Sequence, residues 1–336
     1  MKIAVRGTNW IGDAVMSVPA LRALRRSFPD AKIDLLTPAW AKDVFEDSAL
    51  FDNIITLENS WFERVNTWRR GTYDYAILFT NSFRSALTAR SGGAKRIFGY
   101  KNEARGFLLS NAIKKPGWKN ERHEIFYYLN LVAEFERKVL GKTQIIETPP
   151  DFSLSVSEAQ RAEARKLLQL NKIKPGTKLI ALGAGSHNSR AKRWGAEKFA
   201  RFADLAASVY NSRAILLGAP DEKQVSEAVC AAANSEVVDF TGKTTLAEAI
   251  ALLAESSVMV SNDMGLAHLA AAISTPTFTI FGPTNPKTTA PFNGTVIKAE
   301  NIECAPCMLR ECPIDHRCMN EIKPEFVIEA IRKHLI

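Results

Sequence analysis

A carboxylate at the start of the first predicted helix is the first group in this sequence that could do acid–base chemistry. Asp13 ends the segment 7–13, Gly-Thr-Asn-Trp-Ile-Gly-Asp, which follows a short apolar strand pattern. Its glycines permit a tight turn, and a helix N-terminus presents N–H groups to an anion. Asp13 suits the N-cap or the first turn, where a carboxylate stabilises the helix dipole. The alternative interpretation is a general base that takes the proton of an acceptor hydroxyl.

Two neighbouring segments in the second half combine small residues with cations. Residues 183–186 read Gly-Ala-Gly-Ser after a predicted strand, and residues 190–194 read Arg-Ala-Lys-Arg-Trp. Small residues let a phosphate approach the backbone, and clustered cations suit its charge. Cations in a loop are usually only solvated. Their place after the carboxyl end of a strand favours the phosphate-binding interpretation.

A third segment, 258–268, joins a buried strand to a short helix. The strand ends in Ser-Asn-Asp and a glycine opens the helix. The N–H groups of Met264 and Gly265 would point at a diphosphate, and Asp263 would reach sugar hydroxyls. His268 lies one turn into the helix and could bind a phosphate or a polar loop. Its assignment is weaker, because a single helical histidine usually belongs to the core or the surface.

Four cysteines lie close together near the end of the sequence. Their spacing is C-x₂-C-x₄-C-x₅-C, and they are Cys304, Cys307, Cys312 and Cys318. Such thiolates can hold a tetrahedral zinc or iron ion, and His316 could replace one of them. A reducing cytosol favours metal or free thiols over disulfides. Structural Zn or Fe and a metal-free loop pinned by reduced or disulfide-paired thiols both stay open, and either role is structural.

Alternating strand and helix patterns predict the elements that position these residues. Predicted strands in the first half are 2–6, 32–36, 53–57, 75–79 and 96–99. Those in the second half are 179–182, 214–217, 237–239, 258–261, 277–281 and 296–298. A Pro-Pro break at Thr148-Pro149-Pro150 separates the halves. This pattern predicts two doubly wound α/β domains, residues 1–150 and 151–322, that face a central cleft. A C-terminal helix, residues 323–336, is expected to pack back on the first domain.

Charge and hydropathy narrow the class of protein. Residues 1–150 contain 23 Lys and Arg against 16 Asp and Glu, a net charge of +7, and the rest contain 21 against 20, or +1. This basic half suggests a phosphorylated glycolipid, an anionic membrane surface or nucleic acid as partner, although it could also serve solubility alone. No apolar run approaches the roughly 20 residues of a membrane span, and the first residues lack a signal-peptide pattern. The sequence therefore predicts a cytoplasmic protein.

Together these motifs resemble the ADP-heptose:lipopolysaccharide heptosyltransferases, glycosyltransferase family 9, and within that family most of all the heptosyltransferases II. The segments that carry the resemblance follow one another along the whole chain: 10–13, 81–86, 191–194, 261–268 and 281–284. Any one of them alone would be a weak signal, whereas the ordered set is specific.

The resemblance implies a GT-B fold and an inverting transfer of L-glycero-D-manno-heptose from ADP-heptose to the inner core of lipopolysaccharide. It places the acceptor on the N-terminal half and the donor on the C-terminal half, with no metal required for catalysis. The implied catalytic residues are Asp13, as the base, and Lys192, at the leaving diphosphate. The implied donor-binding residues are Gly185, Ser186, Lys192, Glu222, Asp263, Met264, Gly265 and His268, and the implied acceptor-binding residues are Gly12, Asn81 and Arg84. Met264 departs from the family pattern, because many members have a hydroxyl residue there.

An anionic acceptor also predicts peripheral contact with the inner face of the cytoplasmic membrane. Candidate cations to touch the acceptor or the membrane face are Arg64, Arg69, Arg70, Arg84, Arg105, Lys114, Lys115 and Lys119. There are three alternatives: a heptosyltransferase that acts on a protein serine, a nucleotide-sugar 2-epimerase on the same scaffold, and a non-enzymatic, basic, cysteine-rich nucleic-acid-binding module. No nucleic-acid recognition motif or aromatic platform supports the last one, so nucleic acid is not expected as a partner. The Asp13 motif argues against the 2-epimerase.

Overall fold

The chain folds into two compact units. The computed structural model describes residues 1–102, 104–145, 150–186 and 189–336. The units are Met1–Ser153 and Leu154–Ile336. Two residues of the predicted break, Thr148 and Pro149, lie outside the described residues, and Pro150 belongs to the first unit.

The first unit is a parallel sheet with helices. Its described strands are β1 (Lys2–Arg6), β2 (Lys32–Thr37), β3 (Asn53–Thr56), β4 (Tyr75–Leu78), β5 (Arg96–Tyr100) and β6 (Asn111–Ile113). Its described helices are α1 (Ile11–Ser27), α2 (Ala41–Phe45), α3 (Trp61–Gly71), α4 (Phe83–Ser91) and α5 (Glu124–Leu140). The strand order is β3-β2-β1-β4-β5-β6. Successive strands are therefore added to one side of β1 up to β3 and to the other side from β4 onwards. Doubly wound sheets bind ligands at this point, between β1 and β4.

The second unit repeats this topology. Its described strands are β7 (Leu179–Gly183), β8 (Arg213–Leu216), β9 (Val237–Asp239), β10 (Val258–Asn262), β11 (Thr277–Phe281) and β12 (Thr295–Lys298). Its described helices are α6 (Glu158–Leu170), α7 (Ala196–Tyr210), α8 (Lys223–Ala232), α9 (Leu246–Ala254), α10 (Gly265–Ala272), α11 (Pro286–Thr289), α12 (Arg317–Asn320) and α13 (Pro324–Ile331). The order β12-β11-β10-β7-β8-β9 reverses between β7 and β10.

Helix α13 belongs to the core of the second unit. Val327, Ile331 and Leu335 are buried in the cluster that contains Phe199 and Phe202 of α7. The apolar face of this helix is therefore covered by α7 of the same unit, and its packing on the first domain stays a prediction. Among the helices of the described residues, none has the length and apolar character that crossing a membrane requires.

Arg105 was expected at a surface that touches the acceptor or the membrane, and the structure corrects this expectation. The side chain is fully buried. Its guanidinium donates to the carbonyl oxygens of Tyr100 at 2.9 Å and Thr80 at 2.7 Å, and to the side-chain oxygen of Asn81 at 3.4 Å. A guanidinium has five N–H donors, so one side chain can bind several carbonyl groups that follow β4 and β5.

We expect Arg105→Met to destabilise the protein by about 3 kcal/mol, because the substitution leaves several buried carbonyl groups without a donor. Urea unfolding measures the free energy. Arg90→Met, at an exposed position in the last turn of α4, is the matched control and should change it little. Equal unfolding free energies for the two variants would contradict the structural role of Arg105.

Candidate functional site

An asparagine ties together the ends of several segments in the second unit. Asn262 ends β10 and is fully buried. Its Oδ1 accepts a hydrogen bond from the N–H of Trp194 at 3.0 Å, and its Nδ2 donates to the carbonyl of Ala184 at 2.7 Å. These bonds lie where the strand order reverses, which is the usual ligand site of such sheets. The sequence predicted no separate role for Asn262, because an amide that bridges backbone groups leaves no spacing signal.

The predicted residues Lys192 and Asp263 meet at this edge of the sheet. Lys192 Nζ lies 2.7 Å from Asp263 Oδ2. The same oxygen accepts a hydrogen bond from the hydroxyl of Thr284 at 2.8 Å. The carboxylate is 7 % exposed and the lysine 26 %, so the ammonium group is held by a buried anion while it stays accessible to a ligand. Thr284 lies in the predicted segment 281–284, but its contact with Asp263 was not foreseen.

Helix α10 starts directly beside this pair. The side chain of its N-cap residue, Met264, makes no capping hydrogen bond, so the first backbone N–H groups suit an anionic ligand. A Cβ atom added to Gly183 would lie 2.7 Å from the sulfur of Met264. Met264 therefore packs its side chain against the end of β7 and can offer a ligand its backbone. His268 is buried in α10, and its contact with a phosphate stays a prediction.

Gly185 and Glu222 are also close to one another. A Cβ atom on Gly185 would lie 2.2 Å from the carboxyl carbon of Glu222, so only glycine fits there without movement. The Glu222 side chain is buried, and its Oε2 accepts from the N–H of Ala219 at 2.9 Å. Ser186 is buried beside them, and its carbonyl accepts from Arg193 Nη2 at 3.4 Å. The predicted loop and the predicted acid thus lie together at the ends of β7 and β8.

The cysteine segment, residues 304–318, contacts the turn that contains Ala191 and the loop that contains Pro283. Cys304 and Cys307 are exposed, Cys312 is half-buried and Cys318 is buried. Burial raises the pKa of the Cys318 thiol, and nearby cysteines add to that rise. Within the described residues, the structure gathers no group of three or more His, Cys, Asp or Glu side chains that could hold a metal ion. A metal at this segment stays a prediction.

In the first unit, Asp13 lies in the first turn of α1, where its charge suits the helix dipole. The hydroxyl of Tyr128, on α5, donates to Asp13 Oδ1 at 3.1 Å. Burial, followed by the charge of Asp13, raises the pKa of Tyr128 well above its ordinary value. The tyrosine therefore stays protonated and orients the carboxylate. The residue at the N-cap is Trp10, so Asp13 is not the N-cap residue but lies in the first turn, and its role as a general base stays a prediction.

The other predicted acceptor residues follow β1 and β4, either in the loop after the strand or in the first turn of the next helix. Gly12 is the second residue of α1, next to Asp13. Asn81 Nδ2 donates to the hydroxyl of Tyr127 at 3.2 Å, and its Oδ1 accepts from Arg105. Arg84 lies in the first turn of α4 and is exposed. Asn81 is thus held by buried neighbours, whereas Arg84 can reach a ligand.

A pocket of about 520 Å³ opens at this edge of the first sheet. Three arginines line it, Arg6, Arg64 and Arg84, together with the exposed Glu58. Arg6 ends β1 and is only 8 % exposed. Burial and the charge of Arg64 lower the pKa of Arg6 to about 10. No sequence pattern indicated a role for Arg6, because a cation at the end of an apolar strand is typical of a solvated strand end.

The hydrogen-bond acceptors of these guanidinium groups in the described residues are neutral. Arg6 donates to the carbonyl of Gly7 and to the side-chain oxygen of Asn9, the latter at 2.6 Å. Arg64 donates to a backbone carbonyl, and so does Arg84. A desolvated cation with neutral acceptors is costly unless an anion approaches it. The pocket therefore suits a phosphate or a carboxylate group.

Comparisons with known proteins indicate the family to which the chain belongs. The model of glycosyltransferase family 9 (heptosyltransferase) matches residues 63–317. The chain is 28% identical to lipooligosaccharide heptosyltransferase 2 of Haemophilus influenzae over 100% of this chain and 99% of that protein. It is 27% identical to lipopolysaccharide heptosyltransferase 2 of Escherichia coli over 87% of this chain and 86% of that protein.

A solved structure extends the similarity to the fold. The structure of E. coli ADP-heptose lps heptosyltransferase II superposes with a TM-score of 0.86 at 26% identity, and covers 100% of this chain and 98% of that one. The predicted GT-B fold is thereby confirmed. Because the family model matches most of the chain, the chain belongs to glycosyltransferase family 9, the heptosyltransferases, and is a glycosyltransferase.

Proposed function

We propose that the chain is an inverting heptosyltransferase that moves L-glycero-D-manno-heptose from ADP-heptose to the inner core of lipopolysaccharide. The observation that carries the proposal is the contact between Lys192 and the buried Asp263 at the N-terminus of α10. This arrangement offers an ammonium group and backbone N–H groups to a diphosphate. The similar proteins of H. influenzae and E. coli are named heptosyltransferases 2, which supports heptose as the sugar and lipopolysaccharide as the acceptor.

The chemistry assigns one step to each group. Asp13 takes the proton of an acceptor hydroxyl, and the oxygen attacks the anomeric carbon on the face opposite the diphosphate. The bond between that carbon and ADP breaks, and negative charge grows on the leaving diphosphate. Lys192 and the N–H groups at the start of α10 stabilise this charge, because they are fixed before the reaction begins. The base gains one proton and ADP leaves with the bonding electrons.

Donor recognition is assigned to the loops around this pair. We propose that Gly185 and Ser186 let the diphosphate approach the backbone, and that Glu222 binds the ribose. Asp263 orients Lys192 and contacts the sugar, while Met264 and Gly265 offer their N–H groups. His268 binds the phosphate side from within α10. The steps above use no cofactor. A structural Zn or Fe at Cys304, Cys307, Cys312 and Cys318 is a separate prediction, which elemental analysis of the purified protein decides.

The acceptor is proposed to present an anionic group to the pocket lined by Arg6, Arg64 and Arg84. The net charge of +7 over residues 1–150 and the neutral partners of Arg6 support this assignment. Peripheral contact with the inner face of the cytoplasmic membrane follows from the same charge. Association with anionic liposomes that does not weaken with salt would contradict this part.

We expect Arg84→Gln to raise the KM for the acceptor about 10-fold or more, because a charge-assisted hydrogen bond is lost. The KM for the donor should stay unchanged. Arg90→Gln removes an equal charge at an exposed position in the last turn of the same helix, α4, and is the control. An equal rise of KM in both variants would mean that overall charge, rather than the pocket, attracts the acceptor.

The test of the proposed function is donor titration. ADP-heptose, UDP-sugars and GDP-sugars are added separately while the unfolding temperature is followed, since a ligand that binds only the folded state raises it. ADP-heptose should stabilise the protein most, and incubation with a lipopolysaccharide-core acceptor should release ADP. A stronger response to a UDP- or GDP-sugar overturns the donor assignment. Transfer to a protein serine instead of the glycolipid would support the alternative acceptor.

A further inference from the structure

The cysteine segment holds the turn that carries Lys192. The N–H of Ala191 donates to the carbonyl of Arg310 at 3.0 Å. The carbonyl of Ala191 lies 2.6 Å from Nε2 of His316. Because a carbonyl oxygen can only accept, this nitrogen of His316 carries the proton and donates it. Both backbone groups of the buried Ala191 are thus bound by residues from one distant segment.

The same segment also reaches the loop on the other side of Asp263. The N–H of Met308 donates to the carbonyl of Pro283 at 2.8 Å. The next residue, Thr284, donates its hydroxyl to Asp263 Oδ2. The segment therefore contacts the neighbours of both residues that bind the Asp263 carboxylate.

The hydrogen bonds within the Lys192 turn hold its backbone only weakly. The turn is a short 3₁₀ segment, Arg190–Lys192, and such segments have poor hydrogen-bond geometry. The carbonyl of Ala191 belongs to the planar peptide that joins it to Lys192. A hydrogen bond that fixes this plane restricts the direction in which the Lys192 side chain leaves the backbone. The contact with His316 therefore acts one bond away from the residue assigned to the leaving group.

We propose that His316 is a positioning residue, which holds the Ala191–Lys192 peptide and so keeps the Lys192 ammonium group in place beside Asp263. The proposal rests on the proposed function for the role of Lys192 in the reaction. It also gives His316 a role other than the metal ligand that the sequence suggested. Misplacement of a reacting group by about 1 Å can cost about 100-fold in rate, so this support can matter for turnover.

Two substitutions of equal length isolate the hydrogen bond. His316 has a φ of 55°, in the left-handed region, so any replacement must be compared with another that bears the same backbone strain. Glutamine has an amide donor near the position of Nε2, whereas methionine has none. We expect His316→Met to lower kcat about 10- to 100-fold and His316→Gln to stay within about 3-fold of the wild type. Arg317→Gln, whose side chain pairs with Asp315, is the control within the segment.

A double-mutant cycle separates positioning from general stability. In a Lys192→Ala background, His316→Met should lower kcat less than about 3-fold, because the group that it positions is gone. An undiminished effect in that background overturns the proposal, and so does equal activity of the methionine and glutamine variants. If His316→Met does not fold, Ser189→Ala replaces it, since the Ser189 hydroxyl donates to the carbonyl of Arg310 at 3.2 Å. That variant should show a smaller loss of kcat, which also disappears without Lys192.

The outcomes also separate this inference from the proposed function. A wild-type protein that neither binds ADP nor transfers heptose removes the proposed function. A wild-type protein that does both, while His316→Met keeps full kcat, leaves the proposed function in place and removes only the role of His316.

Discussion

The Asp13→Asn protein is expected to lose about 100- to 10,000-fold in transfer rate, the usual contribution of a general base. An amide cannot take the proton of the acceptor hydroxyl. The fold around it should survive, because the amide oxygen can still accept the hydrogen bond that Tyr128 now donates to Asp13 Oδ1. Binding of ADP should stay at the wild-type level, since the residues assigned to the donor lie in the second unit.

Initial transfer rates and calorimetric titration of ADP measure the two halves of this expectation. Asp30→Asn, an exposed acid in the first unit, is the control and should keep its activity. Near-normal turnover of Asp13→Asn would remove the base from the mechanism. Loss of ADP binding in the same variant would indicate a folding defect instead of a chemical one.

The second large effect is expected for Lys192→Ala, which should lower kcat about 100- to 1,000-fold. The ammonium group stabilises charge that develops only as the diphosphate leaves, so kcat should fall more than the affinity for ADP-heptose. Lys192 and Thr284 both bind the buried Asp263 carboxylate, and removal of the lysine leaves the Thr284 hydroxyl in place. A modest loss of stability should accompany the loss of rate.

Steady-state kinetics with ADP-heptose, together with thermal unfolding, measure these effects. Arg190→Ala removes an exposed cation from the same turn and should change kcat little. Similar losses in both variants would indicate attraction by overall charge. A Lys192→Ala protein that is less stable but fully active would show that the ion pair with Asp263 is structural only.

Most of the strands were predictable because both sheets are parallel and buried, which leaves continuous apolar runs in the sequence. The strand β6, Asn111–Ile113, was missed. It has only three residues, and two lysines and a proline follow it, so neither its length nor its composition indicates a strand. Its pairing with β5 supplies hydrogen bonds that no local pattern encodes.

The site residues that belong to a motif after a strand were predictable. The roles of individual arginines, for which the sequence shows only a positive charge, were not. Lys192 and Asp263 come from such motifs and do meet. The sequence around Arg105 and Arg6 does not distinguish them from exposed cations, yet both side chains are buried. The pocket beside Arg6 and the Thr80 carbonyl that binds Arg105 come from segments distant in sequence, so tertiary packing decides what these two arginines do.

The packing of residues 322–335, which include α13, on the second core also bears on the order in which the chain can fold during synthesis. The carbonyl of Leu335 accepts from the side chain of Lys178, and the carbonyl of Ile322 accepts from the indole of Trp194. The first unit has all its described strands once Ile113 has left the ribosome. The core of the second unit is complete only when Leu335 has been synthesised, and this residue bonds Lys178, 157 positions before it. A ribosome-bound chain should therefore carry a folded first unit while the second is still open.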